Sequence, residues 1–307
     1  MKLLDKNTSN LFKVPELVLM EQAAMNFVWR LCDILEKTAA NKNRKGIVFC
    51  GLGNNGADGI AIARLLNEKG IYTEVCKVQD LLNEKGTTTS SYQVQEEIYQ
   101  SYQYPIQNNA KVISNEAYDF VIDAVFGVGL SRPLNEEYTA IIQLMQDIKG
   151  LKIAVDMPSG VNADNGQIMG AALKCDYTIT FSYGKLGQYV WPGNEYAGEI
   201  FVEKIGITDA SWTEIGPQIA CLEKNDLLLL PKRPSHSNKG TFGKLLVIAG
   251  CINMAGAAIF AAKAAYRCGI GLVKVFTHEK NRVLIQQAVP EALVSTYEIF
   301  RNALHPS

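Results

Sequence analysis

Short apolar runs alternate with helix-length amphipathic stretches along most of this chain, and no other feature limits its possible folds as strongly. The runs cover residues 46–50, 72–78, 120–126, 153–155, 177–181 and 199–203, bounded by Gly or Asp. Ile60–Lys69, the Gln-rich Tyr92–Tyr102 and Tyr138–Ile148 read as helices among them. Ahead of them, Leu17, Met20, Ala24, Phe27, Val28, Leu31 and Leu35 recur at helical spacing after Pro15, a residue suited to a first helical turn. Strands separated by helices lie parallel, joined by right-handed crossovers, with helices over both faces. The expected class is therefore α/β with a mostly parallel sheet.

The charge balance narrows the function. Thirty Lys and Arg stand against 31 Asp and Glu, so no broad basic face is expected and nucleic acid is not an expected partner. The first residues, MKLLDKNTSNLF, contain no apolar stretch followed by small residues, so the expectation is a cytoplasmic protein without a leader or anchor. The apolar run Leu245–Ala262 is interrupted by Gly250, Asn253 and Gly256 and reads as strand, turn and helix, not as a membrane span. Seven scattered cysteines without a C-x-x-C pair read as reduced core residues. Three histidines supply a nitrogen-sulfur transition-metal site poorly, so zinc is not expected.

Pro231-Lys-Arg-Pro-Ser-His-Ser-Asn-Lys reads as a polar, proline-punctuated linker. We divide the chain into a domain over residues 1–213, a linker over 214–235 and a tail over 236–307. In the tail a strand at Gly243–Ala249, a small-residue helix at Ala255–Cys268 and a strand at Leu272–Thr277 make one βαβ-like unit. So small a unit buries little core by itself, and it is expected to dock on the first domain, to pair with another chain or to be only partly ordered.

Three strand ends carry the groups able to do chemistry. The first run leads into Gly51-Leu-Gly53-Asn-Asn-Gly56-Ala-Asp58-Gly59, a G-x-G-x-x-G turn ahead of a helix, which brings backbone N–H groups close to an anionic ligand. Asp58 there would repel a pyrophosphate and favours a sugar hydroxyl, a hydrated ring or an ion; alternatively it caps the helix. Asn54 and Asn55 offer amide groups to a ligand or serve the turn itself. The third run carries Asp123 and leads into Gly127-Val-Gly129-Leu-Ser-Arg132-Pro133, where Arg132 is either a phosphate clamp or a surface residue. The fourth ends in Asp156-Met-Pro158-Ser159-Gly160. Ligands of open α/β sheets gather at carboxyl strand ends, so Asp123 and Asp156 approach one crevice as proton acceptors or as structural ties. Asn55, Asp123 and Ser159 present oxygen on adjacent loops, which suits a hard cation. Lys185, just past the fifth strand, either reaches a phosphate, steadies an acid or is solvated.

Taken together, GLGNNGADG, DAVFGVGLSRP, VDMPSGVNADNG and TFSYGKLG, in this order and spacing, resemble the NAD(P)H-hydrate epimerases over roughly Leu3 to Ile207. The resemblance implies a Rossmann-like three-layer α/β/α domain and interconversion of the R and S forms of hydrated NADH or NADPH at C6 of the nicotinamide ring, with a bound potassium ion. Carried onto this chain, it implies that Asn54, Asn55, Gly56, Ala57, Asp58, Gly127, Val128, Gly129, Leu130, Ser131, Arg132, Pro133 and Asp156 line the hydrate site. It implies likewise that Asn55, Asp123 and Ser159 hold potassium. Ala57 departs from the family, which usually has glycine there, and its methyl either crowds the ligand or fixes an ordinary backbone. The C6 carbon of the hydrate is a hemiaminal, able to lose its hydroxyl or open its ring with acid–base help. We assign Asp156 as the acid–base residue and Lys185 as its helper. The tail motifs, from His236 to Pro290-Glu291, resemble the opening of the ribokinase-like, nucleotide-dependent NAD(P)H-hydrate dehydratase, whose nucleotide-binding segment and catalytic aspartate find no counterpart before Ser307. No dehydratase activity is expected from this chain.

Two other readings stand beside this one. Asp80, about 24 residues beyond Gly56, is placed as in an NAD(P)-dependent oxidoreductase. A non-catalytic ligand-binding or docking protein accounts for the orphaned tail, and leaves open a homo-oligomer formed through its apolar faces.

Overall fold

The computed structural model describes residues 2–38, 44–83, 86–213, 216 and 219–297. In chain order the elements of the first part are α1 (Lys2–Phe12), α2 (Glu16–Thr38), β1 (Lys45–Cys50), α3 (Asn54–Glu68), β2 (Tyr72–Lys77), α4 (Val78–Leu82), α5 (Ser90–Ser101), α6 (Ala110–Asn115) and β3 (Phe120–Ala124). They continue as α7 (Glu136–Asp147), β4 (Leu151–Val155), β5 (Tyr177–Phe181), α8 (Leu186–Tyr189), α9 (Asn194–Ala197) and β6 (Glu199–Glu203). All six strands are parallel, in the order β2-β1-β3-β4-β5-β6. The strand alternation in the sequence is thus realised as a three-layer α/β/α domain.

Side-chain alternation along each strand sorts the core into two layers. Val48 and Cys50 of β1, with Phe120, Ile122 and Ala124 of β3, face the layer built from α2, α3 and α5. Ile47, Phe49 and Val121 face the other, where Ile141, Ile142 and Met145 of α7 pack. The α2 stripe is as the spacing predicts, with Met20, Ala24, Phe27, Val28, Leu31 and Leu35 buried, whereas Leu17 is exposed near the helix start. The most consequential difference is that α3 begins at Asn54 and not at Ile60, so the motif Asn54–Asp58 is the first turns of a helix.

Glycine lets α3 lie unusually near the sheet. A Cβ on Gly59 would stand 2.5 Å from the Ala124 methyl and 3.0 Å from Cys50 Sγ, and one on Gly56 would strike the Gly51 carbonyl. Helix α1 was not foreseen. It buries Leu4 and Thr8, one turn apart, and Thr8 Oγ1 is 2.8 Å from Ser211 Oγ while Asn7 Nδ2 donates to Ser211 O at 3.0 Å.

The chain divides into two units, residues 1–220 and 221–307. The second holds β7 (Lys244–Ile248), α10 (Gly256–Arg267), β8 (Leu272–His278), α11 (Arg282–Ala288) and β9 (Leu293–Tyr297), its three strands parallel in the order β7-β8-β9. The sequence pattern shows only the first crossover of this unit: α11 is seven residues long, too short to display a helical period. Residues 245–262 are strand, turn and helix, and among the described residues no helix is long and apolar enough to cross a membrane. All seven cysteines are free, but only Cys50, Cys76 and Cys175 are buried; Cys221, Cys251 and Cys268, read from sequence as core, are exposed in the second unit, whose small sheet has too few layers to cover them.

Filling the α3–sheet contact tests the architecture. Gly59→Ala is expected to lower stability by about 1–3 kcal/mol through overpacking against Ala124 and Cys50, read as a lower urea midpoint with an unchanged slope.

Candidate functional site

The chain runs from β1 outward to β2, then returns to β3 on the opposite side of β1. The connections leaving β1 and β3 therefore part in opposite directions, and a crevice opens between them at the carboxyl ends, the place where open α/β sheets bind ligands. Here it is a cavity of about 910 Å³. Gly51 keeps the two connections adjacent: its N–H donates to Ala124 O at 3.0 Å, and a Cβ there would strike the Val125 carbonyl.

Of the residues named from sequence, Asn54, Asn55 and Asp58 line the cavity from α3, Gly127 through Arg132 from the loop after β3, and Asp156 and Lys185 from the ends of β4 and β5. Three residues assigned to the hydrate site, Gly56, Ala57 and Pro133, do not line it. Gly56 and Ala57 lie on the buried face of α3, Gly56 against Gly51 and Ala57 within the core, because helical geometry turns them away from Asn54 and Asp58. The Ala57 methyl is thus accommodated by helical backbone and meets the core, not the cavity. Pro133 is an exposed residue later in the same loop, outside the cavity. Asp80, the acid an oxidoreductase would need at the second strand, sits in α4, accepts from Asn108 Nδ2 at 2.8 Å and pairs with Lys77 at 3.6 Å; it does not line the cavity.

Asp156 is held from several directions. Its backbone is left-handed, with φ +65°, a conformation Asp tolerates better than most residues. Lys185 Nζ pairs with its Oδ1, which also accepts from Thr180 Oγ1 at 2.9 Å and Phe181 N–H at 3.2 Å. Gln188 Nε2 donates to the Asp156 carbonyl at 2.6 Å. Lys185 is buried and gives its remaining protons to Thr180 Oγ1 at 2.8 Å and Phe181 O at 3.1 Å. All donors to the carboxylate converge on Oδ1. Among the described residues Oδ2 accepts none, which leaves it for a ligand.

Asp123 and Ser159 are fully buried and belong to the wall behind the cavity. Asp123 accepts from Ser159 N–H at 2.7 Å, Ser159 Oγ at 2.6 Å and Val125 N–H at 3.2 Å, and Ser159 Oγ accepts from Phe126 N–H at 2.9 Å. Burial pushes the Asp123 carboxyl up to about 6 against the pull of these bonds. Asn55 meets the same segment, its Oδ1 abutting Gly127, and its buried Nδ2 has no partner among the described residues. The three oxygen-bearing residues thus gather around Phe126 and Gly127.

The sequence motifs missed part of the cavity. Asp5, Lys6, Ser9 and Asn10 enter from α1, Glu16 from the start of α2, and Phe181 from β5. Glu16 accepts from Asn54 Nδ2, fixing the α3 amide. Burial, followed by the repulsion of Asp156, Asp5 and Glu16, raises Asp58 well above the usual carboxylate range; burial likewise raises Asp5. An acid at the fifth position of the chain carries no local signal of this placement. The Thr8–Ser211 contact that sets it joins residues too distant for any motif.

Comparison with known proteins is consistent with this geometry. Residues 16–187 match the model of the YjeF-related protein N-terminus, and residues 245–305 that of NAD(P)H-hydrate dehydratase. The NAD(P)H-hydrate epimerase of Oenococcus oeni is 40% identical over 204 residues, covering 66% of this chain and 92% of that protein. The bifunctional NAD(P)H-hydrate repair enzyme of Thermofilum pendens is 33% identical over 299 residues, 97% of this chain. The chain spans about half the length (56%) of the bifunctional relatives from Thermofilum pendens and Dictyoglomus turgidum. A yeast protein of known crystal structure, 20% identical, shares the fold with a TM-score of 0.54 over 62% of this chain and 82% of that one. The chain belongs to the NAD(P)H-hydrate epimerase family of isomerases, and carries behind that domain part of an NAD(P)H-hydrate dehydratase domain.

Proposed function

We propose that the first unit interconverts the R and S forms of hydrated NADH or NADPH at C6 of the nicotinamide ring, with Asp156 as acid–base residue and Lys185 as the group that positions it. The observation that carries this reading is the fixed Asp156 carboxylate at the cavity, loaded with donors on Oδ1 and open on Oδ2. Inversion at a hemiaminal carbon needs proton transfer at oxygen and a held ring, with no net redox change. Oδ2 accepts a proton from the hydroxyl, or from the water that becomes it, and returns it when the carbon closes again. Lys185 keeps Oδ1 occupied, so the proton is exchanged at one oxygen only. Gly127 and Gly129 leave backbone N–H groups accessible, and exposed Arg132 supplies charge for the substrate's diphosphate.

Potassium fits the donor set behind the cavity. Asp123 is wholly buried, no lysine or arginine among the described residues pairs with it, and Asn55 and Ser159 add uncharged oxygens nearby. A buried carboxylate without a cation is costly, and a monovalent hard cation offsets that cost without requiring further carboxylates. Bound there by Asn55, Asp123 and Ser159, the ion would supply positive charge that fixes the loop after β3 against the first turn of α3. The residues of this chain would carry out the proton transfers.

Asp156→Asn preserves the left-handed backbone, since Asn also tolerates it, but removes the basic oxygen. It is expected to lower epimerisation by about 10²–10⁴-fold with the fold retained, followed by chromatographic separation of the two hydrates from one resolved epimer. Turnover at the unsubstituted rate would remove Asp156 from this role. Replacing potassium by tetramethylammonium is expected to lower the thermal midpoint by several degrees, the shift that ~1–2 kcal/mol of linked binding produces, and Asp123→Asn is expected to abolish the difference between the two salts. Equal midpoints of the unsubstituted protein in both salts would count against the ion site.

A further inference from the structure

We propose that Asp58 is a second catalytic acid–base residue of this site, and that inversion proceeds by loss of the C6 hydroxyl as water to a ring cation, with water returned on the opposite face. The proposal rests on the epimerase reading and chooses between the two routes open to a hemiaminal, loss of the hydroxyl and opening of the ring.

Three observations carry it. The first is placement. Sheet order puts β1 and β4 on either side of β3, so α3, which follows β1, brings Asp58 to the cavity from one side and the end of β4 brings Asp156 from the other. Exchange of faces at one carbon calls for a proton-handling group on each face, and the fold supplies two. The second is availability. Asp58 is half-buried at the cavity, and among the described residues it has no hydrogen-bond or ion-pair partner; it does not cap α3, whose first turn accepts no side-chain cap. Asp156, by contrast, is held on Oδ1 by Lys185, Thr180 and the Phe181 N–H.

The third is charge. The groups acting on Asp58 are Asp156 at the end of β4, Asp5 of α1, Glu16 of α2 and, with opposite sign, Lys185 after β5. Lys185 is itself paired with Asp156. This end of the cavity therefore repels a diphosphate and attracts a cation, and Asp58 and Asp5 both hold their protons more tightly than ordinary carboxyls do. Such a surrounding stabilises positive charge that develops on the ring, which is where fixed carboxylates contribute most to a rate.

Asp58 in its acid form donates a proton to the C6 hydroxyl; the C6–O bond breaks, water departs, and the N1 lone pair forms the C6=N1 double bond of the ring cation, leaving Asp58 as carboxylate. A different water adds to C6 on the opposite face as its proton passes to Asp156 Oδ2, and the C=N electron pair returns to N1. The reverse reaction exchanges the roles of the two acids.

The test follows single-turnover epimerisation of one resolved hydrate in water enriched in oxygen-18. Solvent oxygen is expected at C6 of every inverted molecule, because inversion by re-addition brings in a new water; inverted product that retains its original oxygen, as direct ring opening and reclosure gives, overturns the proposal while leaving the epimerase reading intact. Absence of any interconversion overturns both. Asp58→Asn is expected to lower the rate at least ~10²-fold while the thermal midpoint shows the protein still folded; a folded Asp58→Asn protein that epimerises at the unsubstituted rate removes Asp58 from catalysis.

Discussion

The site depends on how closely α3 approaches the sheet. Three glycines remove the side chains that would otherwise separate them: Gly51 lets the connections after β1 and β3 run together, Gly56 lies on the Gly51 carbonyl, and Gly59 lies on Ala124 and Cys50. A helix held at ordinary distance would place Asn55 away from Gly127 and carry Asp58 out of the cavity. Close packing here fixes function as well as stability, because the helix turn that faces the ligand is continuous with the turn that faces the core. The glycine spacing resembles a dinucleotide-binding turn for the same steric reason, but the chemistry that follows it differs, since Asn54 and Asp58 occupy the face where a pyrophosphate would sit.

A second constraint acts at β4. Asp156 leaves the strand with left-handed backbone, so its carboxylate turns back toward β5 and meets Lys185. Buried ion pairs are costly unless the remaining donors and acceptors are satisfied, and here Thr180, the Phe181 carbonyl and Gln188 complete the set. The arrangement gives a single carboxylate orientation and spares one oxygen. It also explains why a lysine recognisable only as lying past a strand end is inseparable from the acid 29 residues before it.

The fold was legible because it repeats: the strands are short runs rich in apolar and β-branched residues, and each long helix carries a stripe that one face of the sheet must cover. The short elements α4, α6, α8, α9 and α11 carry too few residues to declare a period. Helix α1 is about three turns long but among the described residues buries only Leu4 and Thr8, too sparse an apolar stripe to read as a helix, and so its four cavity residues went unread. Loop residues at strand ends were readable from chemistry alone, as with Asp156 and Arg132, because strand-end topology limits where they can go. Gly56 and Ala57 were assigned to the ligand with their neighbours because a motif is contiguous in sequence, whereas a helix presents only every third or fourth residue to one side; Pro133 lies in the loop after β3, beyond the stretch that lines the cavity. Gln188 and Thr180 act through Asp156, and nothing in their local sequence marks them.

The distribution of charge in the cavity ties these parts to one kind of ligand. A substrate bearing a diphosphate at one end and an uncharged, hydroxylated ring at the other meets two different environments here: glycine backbone and Arg132 after β3, and carboxylates from α1, α2, α3 and β4 around Lys185. A site built for a fully anionic ligand would not gather Asp5, Glu16, Asp58 and Asp156 at one end, and a site built for a permanent cation would not place an ammonium among them. The mixture suits a ring that is neutral when bound and acquires positive charge only in passing, for which the carboxylates are more favourable in the transition state than in the ground state. On the proposed reading, a potassium ion held at Asp123 would act separately from the chemistry. It would offset a buried charge that lies outside the reacting pocket, leaving the acid–base groups that face the ligand to respond to the ligand alone.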